Sequence, residues 1–291
     1  MSGGRRFGGI EAGGTKFVLA VGESPLEIHA RHVIPTTTPQ ETLSQAAEWF
    51  EGHGRIDALG IASFGPVNLD PESLTWGHIT NTPKPGWADC NIAGYFSERL
   101  GVPIGFDTDV NGAALAEARF GAGQGLTSVA YVTVGTGIGG GLVIEGRPVH
   151  GAAHPEMGHI FPRRVDPSDE FEGICPHHGD CLEGLASGPA IMARWGASLS
   201  ELPPEHEAHG KVADYLAQLC HSLFAISAVE TIVLGGGVMR TPRLLERIEE
   251  TVDGLGAGYL PGGDRHSIQG PQLGENSGIT GAMMLAEMAH C

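Results

Sequence analysis

The chain has 291 residues and carries 34 acidic against 17 basic side chains, a formal charge of −17. That balance excludes a surface that attracts nucleic acid or an anionic membrane as a whole, so an anion is held only at a local site. Apolar residues make up 41% of the chain, which suits a packed core, and no stretch is apolar for the length of a membrane span.

Residues 7–22, FGGIEAGGTKFVLAVG, read as strand, glycine turn, strand. Residues 39–53, PQETLSQAAEWFEGH, carry apolar side chains at helical spacing. Residues 56–67, IDALGIASFGPV, form a buried strand that runs into a Gly-Pro break, and 92–101, IAGYFSERLG, a short helix with a glycine stop. VPIGFDTDV is a strand ending in carboxylates, and NGAALAEARFGAG after it starts a helix. Residues 129–144, VAYVTVGTGIGGGLVI, repeat the opening strand–glycine turn–strand pattern. PAIMARWG and GKVADYLAQLCHSLFAISAV are helices, TIVLGGGV (231–238) is a strand, and TPRLLERIEETVDG and SGITGAMMLAEMAH are helices. A glycine-turned hairpin occurring twice, about half a chain apart, predicts two similar α/β lobes facing a cleft.

The two turns hold Gly13, Gly14, Thr15 and Lys16, and Gly135, Thr136 and Gly137. Glycine lets backbone N–H groups converge on an anion, and threonine adds a hydroxyl donor, so the pair predicts phosphate cradles. Gly235 and Gly236 of LGGGV offer bare backbone to a base or ribose. Neither turn is a Walker loop, and GTGIGG lies between strands, where a dinucleotide fingerprint needs a helix. Asp107, Asp109 and Asn111 sit where a strand ends and a helix starts. Asp109 there is a candidate acceptor for a hydroxyl proton in phosphoryl transfer; the alternative is that Asp109 or Asn111 caps the helix.

The stretch CPHHGDCLEG places Cys175, His178 and Cys181 at spacings of three, with His159 sixteen residues upstream. Four N and S ligands with no oxygen suit a closed, structural tetrahedral Zn²⁺ site, and His177 is the alternative to His178. The N-terminus lacks the apolar segment of a signal peptide, so a reducing, cytoplasmic setting is expected, in which thiolates bind metal rather than pair.

These stretches resemble the ROK sugar kinases, and most closely their bacterial fructokinase branch, over nearly the whole chain. GGIEAGGTKFVLAVG, SFGPV, ITNTPKPGW, DTDVNGAALAEARFGAG, VTVGTGIGGG, HPEMGHI and CPHHGDCLEGLASGPAI carry the likeness. The resemblance implies an α/β, actin-like ATPase (ribonuclease H-like) fold with two lobes around a central cleft. On that reading residues 1–112 form a small N-terminal lobe, joined by a C-terminal helix at about 275–291, and 113–274 a large lobe with the zinc loop. It implies transfer of the γ-phosphoryl of ATP, with Mg²⁺, to fructose. Asp109 falls at the catalytic base, and Glu156, His159, Glu183 and Asn111 are substrate contacts. His159, Cys175, His178 and Cys181 fall at the ligands of a structural Zn²⁺. Partners are then a sugar and ATP, with no nucleic acid and no membrane, in a homodimer. Glu11 stands where many relatives carry Asp, and Thr108 where glucokinase-like members place Asn, which favours the fructokinase branch. A sugar-responsive repressor is the competing reading; its basic helix-turn-helix finds no room in the six residues before Phe7.

Overall fold

The computed structural model describes residues 5–290. They divide into two compact units. One contains the chain up to Ala116, Pro148–His154 and the stretch from Glu275 onward; the other contains Glu117–Arg147 and Pro155–Gly274.

The first unit is built on strands β1 (Phe7–Ala12), β2 (Lys16–Ser24), β3 (Glu27–Pro35) and β4 (Ala58–Ser63), the short pair β5 (His78–Ile79) and β6 (Cys90–Asn91), and β7 (Ile104–Thr108). The main sheet runs β3-β2-β1-β4-β7. β1 and β2 form the foreseen hairpin, and β4 and β7 continue it in parallel. Helix α1 (Pro39–Gly52) begins where the Thr38 side chain accepts the Glu41 N–H and proline supplies the first turn. It buries Leu43, Ala46, Ala47 and Phe50. Helix α2 (Ile92–Leu100) starts at the Asn91 cap and stops at Gly101, whose φ of 66° is left-handed.

The C-terminal helix α8 (Ser277–His290) belongs to this unit, where it packs on β1, β4 and β7. Glycine makes the approach possible. A Cβ on Gly60 would lie 1.8 Å from the Ala282 carbonyl oxygen, and one on Gly105 would lie 2.1 Å from that of Leu285. Strand β3 has no counterpart in the sequence reading. Of its nine residues only Ile34 is buried, so no alternating apolar face announces it. Its backbone pairing with the edge of β2 creates it, with register shifts near Gly22.

The second unit repeats the plan. Its sheet runs β10-β9-β8-β11-β12, from β8 (Ser128–Val134), β9 (Ile138–Ile144), β10 (Arg147–Pro148), β11 (Thr231–Gly235) and β12 (Ser267–Gln269). Again a hairpin is antiparallel, β8 with β9, and β11 and β12 follow in parallel. The helices are α3 (Asp109–Phe120), shared with the first unit, then α4 (Leu182–Ala186), α5 (Gly188–Trp195), α6 (Glu207–Ser227) and α7 (Leu244–Gly256). Helix α3 starts two residues earlier than the composition of NGAALAEARF suggests, at Asp109. Among the described residues no helix is long and apolar enough to cross a membrane.

Candidate active site

In the first unit the turn after β1 is held from one side. Thr36 donates its N–H to the Thr15 carbonyl at 2.9 Å and its hydroxyl to the Gly13 carbonyl at 2.7 Å. Gly13 N–H closes the turn on Lys16 O at 3.0 Å. A Cβ on Gly14 would meet nothing within 4 Å. Protein packing therefore leaves space open beside this glycine. Glu11 precedes the turn with Oε2 sealed from solvent and lacking a hydrogen-bond partner. Burial raises its pKa, against the opposing pull of Lys16 and Arg31, while Glu275 adds to the rise.

Asp109 opens α3 half-buried, its Oδ1 accepting the Val110 N–H at 2.9 Å. The helix cap is Thr108, whose hydroxyl oxygen accepts the Asn111 N–H at 3.1 Å. Asn111 is fully buried; it donates its Nδ2 to Asp107 Oδ1 at 2.7 Å, and its own Oδ1 has no partner. Asp107 is also buried, and its Oδ2 lies 3.0 Å from His150 Nε2. That bond raises the His150 pKa against the desolvation of the ring.

In the second unit the turn between β8 and β9 closes on itself through Gly135 N–H to Gly137 O at 2.9 Å. Glu183 sits against it: its Oε2 accepts the Ile138 N–H at 2.9 Å, and a Cβ on Gly137 would fall 2.7 Å from that oxygen. Gly188, first residue of α5, donates its N–H to Gly135 O at 2.8 Å. A cavity of about 410 Å³ opens here, lined among others by Gly135, Thr136, Gly188, Pro189, Gly237 and Val238. Gly235 and Gly236 instead pack on β8. A Cβ on Gly235 would strike the Tyr131 hydroxyl, and Gly236, at φ 97°, lies against Val134. The bare backbone reaching the cavity is thus one residue further on, at Gly237. A larger hollow of about 740 Å³ is lined by Glu249, Asp253 and Asp264, the wrong charge for a phosphate chain.

The clip is assembled by two short turns. Residues Met157–His159 form a 3-10 turn laid flush on β9, where a Cβ on Gly158 would sit 1.8 Å from Ile138 O. Cys175 and Gly179 exchange both backbone hydrogen bonds across the three residues between them, with Gly179 at φ 61°. The ligand atoms of His159, Cys175, His178 and Cys181 lie within 4.8 Å of one another. His159 Nδ1 is 3.5 Å from Cys181 Sγ and 3.9 Å from Cys175 Sγ, and His178 Nδ1 is 3.7 Å from Cys175 Sγ. Zn–S of about 2.3 Å and Zn–N of about 2.0 Å in a tetrahedron set N···S edges of roughly 3.6 Å, close to these three separations, so the donor set is compatible with zinc. His178, not His177, completes it. Burial pushes the Cys181 thiol up to about 11 in the absence of a cation. The opposite nitrogen of His159, Nε2, lies 3.9 Å from the exposed Glu156 Oε2. Sequence reasoning gathered the four donors and both glycine turns. It missed His150, because a histidine forty-odd residues from its partner leaves no local pattern.

A model of the ROK family matches residues 7–289. The chain is 46% identical over 288 residues to a fructokinase of Zymomonas mobilis, with 96% of each chain covered. It is 46% identical over 290 residues to a putative fructokinase of Bacillus subtilis, with 97% of this chain and 95% of that one covered. Among solved structures it is similar to the ROK hexokinase of Thermus thermophilus, at a TM-score of 0.80 and 27% identity over 97% of this chain and 98% of that one. The fold is accordingly α/β of the actin-like ATPase class. Two glycine-turned hairpins, a carboxylate opening α3 and a four-donor clip are the local features of a chain matched almost end to end, and the chain belongs to the ROK family.

Proposed function

We infer that the chain is an ATP-dependent fructokinase, transferring the γ-phosphoryl of ATP to the 6-hydroxyl of D-fructose. The full-length identity of 46% to a fructokinase carries this reading. The local chemistry supports it. Gly13, Gly14, Thr15 and Lys16 in one unit, and Gly135, Thr136 and Gly137 in the other, offer backbone N–H, hydroxyl and ammonium donors to phosphate oxygens. The positive end of α5 adds to the second set, because Gly188 and Pro189 line the same cavity as Gly135.

Asp109 accepts the proton of the attacking sugar hydroxyl. An ordinary carboxylate suffices, since phosphoryl transfer depends on positioning and charge neutralisation more than on base strength. When bound, Mg²⁺ neutralises the phosphate oxygens. The unpartnered Glu11 Oε2 is the donor near the first turn that fits it. Glu156, His159 and Glu183 are assigned to sugar hydroxyls, and His159 turns one nitrogen to the thiols and the other toward Glu156. His159, Cys175, His178 and Cys181 would hold a zinc ion at the clip, which would order the sugar contacts without entering the chemistry.

Purified protein with ATP, Mg²⁺ and each of fructose, mannose, glucose and N-acetylmannosamine tests the reading through ADP release. Fructose is expected to give the highest kcat/KM, with weaker turnover of mannose. Comparable values for mannose or glucose establish a broader hexose kinase, and no ADP release with any sugar overturns the kinase reading.

A further inference from the structure

We propose that His150 is a positioning residue for the candidate base Asp109, acting through a buried relay of Asp107, Thr108 and Asn111. This rests on the kinase reading for its effect on turnover but not for its geometry.

The relay is continuous. His150 Nε2 lies 3.0 Å from Asp107 Oδ2. The other oxygen of Asp107 accepts two groups at the junction of β7 and α3, the Thr108 N–H and the Asn111 Nδ2–H, each at 2.7 Å. Thr108 in turn caps the helix through the Asn111 N–H. Asp109 stands between these anchors in the chain, so the backbone from which its carboxylate projects is held by the bonds of Asp107 and Thr108. Nε2 carries the proton that bonds the Asp107 carboxylate, and Asn111 presents its Nδ2, so their contact at 3.3 Å is between two donors and forms no bond. His150 therefore donates to Asp107 and to nothing else in the relay. The bond favours the imidazolium, which balances a carboxylate whose side chain is only 3% exposed.

The segment that carries His150 is itself pinned. Pro148–His154 belongs to the first unit although the chain on both sides of it belongs to the second. Its far end is held by His154, whose Nε2 accepts the Val67 N–H at 3.1 Å and is thus unprotonated. The two histidines work with opposite polarity, a donor at the end of β7 and an acceptor just past β4.

The test compares His150→Leu, His150→Gln, Asp107→Asn and the Leu/Asn double variant. His150→Leu removes the donor, and kcat is expected to fall tenfold or more while KM for sugar and for ATP changes less than threefold. His150→Gln places an amide N–H near the former Nε2 and is expected to recover most of that loss. The double variant should be no slower than the worse single one, since both act through one bond. Equal loss in the Leu and Gln variants, a change confined to KM, or additive losses would overturn the proposal. A second measurement is independent of activity. The His150 imidazole titration, followed by NMR against the Asn111 amide and the Asp107 carboxylate that face it, must move to lower pH in Asp107→Asn. If no sugar is phosphorylated, the kinase reading fails while this titration still decides the relay; an unmoved titration overturns it.

Discussion

The hydroxyl oxygen of Thr108 accepts the backbone N–H of Asn111 at 3.1 Å, so the residue before Asp109 caps α3. The Asp109 carboxylate instead accepts the N–H of its neighbour Val110 at 2.9 Å.

Asp109→Asn keeps the size of the side chain and leaves the Thr108 cap untouched. Turnover is expected to fall by about 10² to 10⁴, the usual contribution of a general base. The melting temperature should stay within a few degrees of the parent. Coupled ADP release and a thermal melt measure both, and near-normal kcat in a folded variant would remove Asp109 from the role.

Elemental analysis of the purified protein is expected to give about one zinc per chain, by the four-donor count. Cys181→Ser should lose the metal and melt earlier. Binding must displace the proton of a thiol held at about 11 by burial, so apparent zinc affinity falls by about tenfold per pH unit on acidification for that proton alone. Competition with a chromophoric chelator between pH 8 and 6 reads the slope; a flat profile would exclude Cys181 thiolate as a ligand.

Gly60→Ala probes the seat of α8. The added methyl would fall 1.8 Å from the Ala282 carbonyl oxygen and 2.5 Å from the Ala286 nitrogen. Both are backbone atoms, so neither can swing aside as a side chain end does. A cost of about 3 kcal/mol or more is expected, at the upper end for overpacking. Urea denaturation measures it, and Gly14→Ala, which meets nothing within 4 Å, is the control for stability.

Glu11 links stability to pH. Burial raises its pKa above the 4.5 of a free glutamate, so the folded state holds this proton more tightly than the unfolded state. Its contribution is fully present below the unfolded value and is lost as pH rises through the folded one. Glu11→Gln keeps the shape without the charge. Without Mg²⁺, the variant should gain in melting temperature over the parent between pH 5 and pH 8. A constant difference between the two proteins across that range would show that the carboxyl is not desolvated.

The amino-acid order by itself determined the two glycine-turned hairpins, the helices from Pro39 to His290 with apolar faces, and the Cys175–Cys181 spacing. Each of these is a local property, fixed by side-chain periodicity or by the reach of a few residues. The edge strand β3 was not legible, because pairing with β2 rather than an apolar face makes it. Tertiary structure alone chose His178 over His177, moved the exposed glycine of LGGGV to Gly237, gave the cap to Thr108 and brought His150 onto Asp107. These choices turn on how side chains are aimed by the folded backbone and on contacts between residues distant in sequence. One-dimensional spacing cannot encode an aim that packing and buried hydrogen bonds set.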